Sequence, residues 1–185
     1  MPAQDRTPGR PDLIRRRVAA SVAISLASIV GLSIFVATAP ATADPIDVDA
    51  VMVHIGGEGE RIEAALGLWD EHAGFLIIPT GNEWDVDERW CGRDDRIICR
   101  PIHPETTLGE ARLLGELVEE YGWRRVATVT TDYHVRRAGI LDRRCTDADV
   151  VAHSAENDLG PLTLAGKYLH EIGGLVVSVF QPCDP

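Results

Sequence analysis

The stretch from Val126 to Leu141, VATVTTDYHVRRAGIL, decides the fold. Val126 to Thr130 is a short β-branched run of the kind that forms a buried parallel strand. Thr131-Asp132-Tyr133-His134 then interrupts it with polar side chains. The pattern resumes as a helix, with Val135, Ala138, Ile140 and Leu141 spaced to lean on a sheet. A strand that ends in a polar turn and opens a helix is where open α/β sheets hold ligands, because helix N–H groups point into the loop. His134, Asp132 and Arg136-Arg137 are therefore expected at one crevice. The competing reading is a helix N-terminus with a solvated Arg pair.

The same unit repeats on either side. Val48 to Ile55 reads as a strand, followed by Gly56-Gly57-Glu58-Gly59 and a helical pattern through Ile62, Ala65, Leu66 and Trp69. Phe75 to Pro79 is a second strand, ending at Thr80-Gly81-Asn82. Ile97 to Ile102 is a third. Thr106 or Thr107 then caps a helix through Leu108, Ala111, Leu114, Leu117 and Val118, with Glu110 placed as in a capping box. A further strand covers Val150 to His153, and a helix covers Leu159 to Phe180, with Gly173-Gly174 weakening its middle by about 1 kcal/mol each. Strands alternating with helices predict a three-layer αβα sandwich on a mainly parallel, Rossmann-like sheet. The excursion from Glu83 to Asp95 reads as a surface loop rather than a lid, although Trp84 and Trp90 are costly to expose.

The chain has 185 residues and a net charge of −11. Residues 1–43 hold five Arg and two Asp, which leaves −14 on residues 44–185. Such acidity argues against nucleic acid as a partner. Arg15-Arg16-Arg17 precedes an uncharged run from Val18 to Val36, and Ala41-Thr42-Ala43 makes an A-x-A site. Residues 1–43 are therefore expected to be an export segment, either a cleaved signal peptide or a retained membrane anchor. Residues 44–185 are one α/β domain delivered outside the cytoplasm, touching the membrane only through the segment before it. Four cysteines and no C-x-x-C pair fit disulfides in an oxidising compartment. Three pairings are possible. Cys91 and Cys99 flank one excursion and are expected to pair locally, leaving Cys145 to tie down Cys183 in the tail.

V-T-T-D-Y-H-V-R-R-A resembles the V-T-S-x-Y-H-x-x-R-A motif of the DUF218 family, also called YdcF-like or SanA/ElyC-like. Thr130, Tyr133, His134, Arg137 and Ala138 match it. The resemblance extends over roughly Asp49 to Val179. Gly56, Gly57 and Arg61 take the places of the family's L-G-G and following Arg. Thr80-Gly81-Asn82 stands where S-G-G is usual. Thr107 and Ala111 match N-T-x-E-N-A, while Gly109 and Glu110 replace its Glu and Asn. The family's exported members are associated with envelope biogenesis or barrier function.

That resemblance implies a cell-envelope protein binding a small anionic or nucleotide-like ligand, or an envelope precursor, with hydrolase or transferase activity in reach. His134 is the expected acid or base, with Asp132 or Glu110 orienting it or holding a cation. Gly56, Gly57, Arg61, Thr80, Gly81, Asn82, Thr107, Thr130, Tyr133 and Arg137 are the expected ligand-binding set. The alternative is a non-catalytic envelope binding or interaction protein. No nucleophile elbow, HExxH or P-loop names a reaction. His54 is read as packed or hydrogen-bonded rather than catalytic. His54, His134, His153 and Asp132 have no spacing that dictates a metal, and no metal or cofactor is assigned.

Overall fold

The computed structural model describes residues 10–37, 47–56, 59–81 and 89–183. The β-branched runs become five strands: β1 (Val48–Val53), β2 (Ala73–Thr80), β3 (Ile97–Pro101), β4 (Arg125–Thr131) and β5 (Asp149–Ala155). The helices are α1 (Arg10–Ala37), α2 (Glu60–His72), α3 (Thr107–Tyr121), α4 (Val135–Cys145) and α5 (Pro161–Phe180). The sheet order is β3-β2-β1-β4-β5, and every neighbouring pair is parallel. This is the expected αβα sandwich.

Strand alternation builds two cores. Ala50, Met52, Ile77 and Val126 face α3, where Leu113, Leu114, Leu117 and Val118 cover them. Val51, Val53, Leu76, Ile78, Ala127 and Val129 face the other way, toward Ala65, Ile62 and Trp69 of α2. Both faces are covered, so the strands read as nearly continuous apolar runs. The chain moves outward from β1 to β2 to β3, then returns across β1 to reach β4. Right-handed crossovers put α2 on one face and the returning α3 on the other. The winding direction reverses between β1 and β4, and a crevice opens beyond their carboxyl ends.

Helix α3 starts at Thr106, whose Oγ1 accepts from Gly109 N at 3.3 Å. It ends at Gly122, left-handed at φ 68°, with the Trp123 N–H returning to the Val118 carbonyl. The expected capping box is not made, because Glu110 turns inward. Cys91–Cys99 and Cys145–Cys183 are both disulfides, which fits an extracytoplasmic protein. The A-x-A site at Ala41-Thr42-Ala43 and the residues Gly57, Asn82 and Trp84 lie outside the described residues.

Helix α5 buries little: Glu171, Leu175 and Ser178 are its buried residues. Polar ties hold it instead. Arg144 donates to the Ser178 and Gln181 carbonyls, and Arg112 to the Cys183 and Pro182 carbonyls. It runs unbroken through Gly173-Gly174. Helix α1 packs against it. Among the described residues no helix is long and apolar enough to cross a membrane. The uncharged run from Val18 to Val36 extends past the side chains described.

Two glycines give opposite predictions. A Cβ on Gly115 would lie 2.1 Å from the Cys145 carbonyl oxygen, where α3 and α4 touch. Gly115→Ala should cost about 1–3 kcal/mol by forcing that backbone apart. A Cβ on Gly67 meets nothing within 4 Å. Gly67→Ala, inside α2, should instead add about 0.5–1 kcal/mol. Urea midpoints of the two variants check the pair.

Candidate functional site

The crevice beyond β1 and β4 encloses about 350 Å³ and is lined by Arg61, Glu110, Tyr133, His134, Arg137 and Glu171, among others. One side chain stands behind this lining and meets it through Glu110. His54 follows β1 and is fully buried. Its Nδ1 lies 3.0 Å from Glu110 Oε2, and its Nε2 lies 2.9 Å from Asp142 Oδ2. Glu110 comes from the first turn of α3 and also accepts the Ile55 N–H on Oε1 at 2.6 Å. Burial alone would push the imidazole down, but the Asp142 and Glu110 carboxylates outweigh it and raise His54 to about 10. His54 is thus packed and hydrogen-bonded, as read from the sequence.

His134 stands at the start of α4 and is also buried. Its Nδ1 lies 3.0 Å from Glu171 Oε2, and its Nε2 lies 3.4 Å from Thr107 Oγ1. Arg137 grips the same Glu171 with two N–H groups, Nε to Oε2 at 2.7 Å and Nη2 to Oε1 at 3.1 Å. Its Nη1 donates to Thr107 Oγ1 at 3.0 Å. Burial holds His134 below its usual value. Near neutral pH the imidazole is therefore uncharged, and Arg137 supplies the persistent positive charge beside Glu171. Burial would raise Glu171, yet the hydrogen bonds and charge beside it hold it at about 2. Since the carboxylate is ionised, His134 Nδ1 is the donor to it, which leaves Nε2 as the acceptor nitrogen.

Arg61, on the first turn of α2, is 6% exposed. It donates to the Ile55 carbonyl at 2.9 Å, to Thr131 Oγ1 at 2.9 Å, and more weakly to the His54 carbonyl and Tyr133 Oη at 3.4 Å. All four acceptors are neutral. Among the described residues no carboxylate pairs with it, and its buried Nε has no partner. Gly56 makes room for it. That residue sits at φ 110°, and a Cβ there would lie 3.1 Å from Arg61 Nη1. Lys167 and His170 of α5 complete the wall.

The structure therefore brings together His134, Glu110, Gly56, Arg61, Thr107, Tyr133 and Arg137 from the expected set. Asp132 is turned aside. Its Oδ1 accepts from Asn157 Nδ2 at 2.7 Å and from the Tyr133 N–H at 2.6 Å. The partner that orients His134 is Glu171, and Glu110 serves His54 instead. Thr130 is buried inside the sheet. Thr80 and Gly81 do not line the crevice, although Gly81 packs against Glu105, which does. Glu171 and Asp142 were not anticipated. Each is an acidic residue on the inward stripe of a helix, and that misplacement is the only local signal.

Two predictions test these contacts. His54→Ala strands two buried carboxylates and should cost about 3–5 kcal/mol, read as a fall in the urea midpoint. Glu171 has a depressed folded pKa, so its contribution to stability is full above its ordinary value of 4.5 and drains as pH falls toward about 2. Glu171→Gln should lower stability at neutral pH and flatten that acid-side slope in a pH series of melts.

No protein-family model matches the chain, and no curated protein matches it.

Proposed function

We propose that this is an exported cell-envelope protein whose crevice binds a small anionic ligand, phosphate- or carboxylate-bearing, free or as part of an envelope precursor. The observation that carries the reading is Arg61. A buried guanidinium held only by neutral oxygens among the described residues is costly unless an anion completes it. Lys167, exposed at the rim, adds a second positive charge. Arg137 is already neutralised by Glu171 and acts as the clamp of His134. The two disulfides support an extracytoplasmic location, and the DUF218 resemblance supports the envelope context.

His134 gives the crevice a proton-transfer group. An imidazole whose Nδ1–H is held by a carboxylate, with Nε2 beside Thr107 of the same lining, has the arrangement of a general base. Hydrolysis or group transfer on the bound anion is the matching reaction class. The second reading, binding without turnover, is favoured by Gly109. It replaces the usual family Glu, and a Cβ there would strike the Pro104 carbonyl oxygen at 2.0 Å.

The test uses the mature chain against inorganic phosphate, pyrophosphate and nucleoside diphosphate sugars in thermal shift and calorimetry. A ligand at about a hundredfold its Kd should stabilise by roughly 2.7 kcal/mol. Arg61→Gln should weaken binding about tenfold to a hundredfold, the value of one charged hydrogen bond. Binding left unchanged in that variant, with the fold intact, would refute the anion site. His134→Gln should keep binding and abolish turnover. Binding with no turnover by the wild type would favour the second reading.

A further inference from the structure

Two carboxylate–imidazole pairs converge on Glu110. Asp142, fully buried on α4, holds His54 Nε2, and Glu171 on α5 holds His134 Nδ1. The other ring nitrogens, His54 Nδ1 at 3.0 Å from Glu110 Oε2 and His134 Nε2 at 3.4 Å from Thr107 Oγ1, are the ones an ion could take. One such atom from each of His54, Glu110 and His134 lies within 4.8 Å of the other two. All three side chains are buried, and the two rings stand edge to face with centroids 6.0 Å apart. The Ile55 N–H fixes Glu110 Oε1, so Oε2 is the atom presented at 3.0 Å from His54 Nδ1.

That short gap needs a positive occupant. With Nε2–H committed to Asp142, Nδ1 and Oε2 otherwise face each other with lone pairs. A proton fills the gap but involves only two of the three groups. A metal ion fills it and also uses His134. Carboxylates on the outer nitrogen are what orient ligating imidazoles and raise their basicity at metal centres.

We propose that His54, Glu110 and His134 form a binding site for a divalent transition-metal ion of the zinc, iron(II) or manganese class, with Asp142 and Glu171 as positioning residues. Two imidazoles and one carboxylate suit those ions, and three protein ligands leave positions open toward the crevice. Ligand atoms about 2.0–2.2 Å from one ion sit roughly 3–3.5 Å apart, so the widest separation closes by roughly 1 Å through side-chain movement. The ion replaces the proton between His54 and Glu110, releasing one proton per ion bound. Glu110 and Asp142 balance its two charges, and Arg61 remains available to an anion. The site rests only on the anion-binding half of the reading above, since an ion on His134 Nε2 takes the place of its role as base; it is tested without any anion, so either can fail alone.

The full chain, stripped with a chelator, is titrated with Zn²⁺ by calorimetry and with Co²⁺ by absorption. One ion per chain is expected. Glu110→Gln should weaken Zn²⁺ about a hundredfold or more, and Asp142→Asn about 10–100-fold, the range for an outer-shell partner. His103→Ala, outside the site, should leave affinity unchanged. Melts establish which variants fold. Imidazole nitrogen NMR of the wild-type chain needs no variant, and Zn²⁺ should shift His54 Nδ1 and His134 Nε2. The absence of saturable binding overturns the proposal. So does binding that persists in folded Glu110→Gln, or that leaves both imidazoles unmoved.

Discussion

A fully buried imidazole held between two carboxylates is the contact on which the rest of this site depends. His54 follows β1, Glu110 lies in the first turn of α3, and Asp142 lies on α4. Taking such groups out of water costs several kcal/mol per ion, and their attraction offsets this only when geometry is good and spare lone pairs are met. Here Glu110 Oε1 is met by the Ile55 N–H, while Asp142 Oδ1 has no partner among the described residues. The trio therefore does more for position than for stability. The three contacts join the end of β1, the start of α3 and the middle of α4 at fixed distances.

A second carboxylate repeats the device at the crevice wall with a different supporting structure. Glu171 rides on α5, which buries few apolar side chains. Its place is set by the Arg137 fork, by Arg144 and Arg112 on carbonyls at its end, and by Cys145–Cys183. A disulfide closing such a loop removes roughly 4 kcal/mol of unfolded-chain entropy. The site is thus assembled from a rigid half, built on the sheet, and a half that polar ties and one cross-link hold against it. Gly174 belongs to this arrangement, since a Cβ there would lie 2.9 Å from Arg137 Nε. The helix accepts a weak residue so that the Arg137–Glu171 pair can close.

The fold was legible because β1, β2 and β4 are buried along most of their length and α3 shows a clear apolar stripe. Val126 to Thr130, Phe75 to Pro79 and Ile97 to Ile102 announce strands by composition alone, and the turns after them announce the crevice. The side-chain network was less legible. His54 reaches Asp142 across 88 positions, and His134 reaches Glu171 across 37. No local pattern encodes such pairs. Glu110 looked like a capping residue because its spacing from Thr107 fits a box, but the cap is Thr106 and the carboxylate is spent on His54. Asp132 looked catalytic because it neighbours His134 in sequence. Successive residues of a turn point apart, and Asn157 captures it.

The electrostatics of the molecule and of the crevice pull in opposite directions, and distance decides between them. Residues 44–185 carry a net −14, so the far field repels anions. At physiological ionic strength that field decays over about 8 Å, while a buried guanidinium in a low-dielectric wall is screened much less. An anion is therefore not steered in from solution. On the proposed reading, Arg61 and Lys167 retain it at contact range. That favours a ligand met at high local concentration, such as one already held at the membrane surface, over one captured from dilute solution. The acidic shell lowers the rate of encounter and leaves the short-range contacts to set how long the ligand stays.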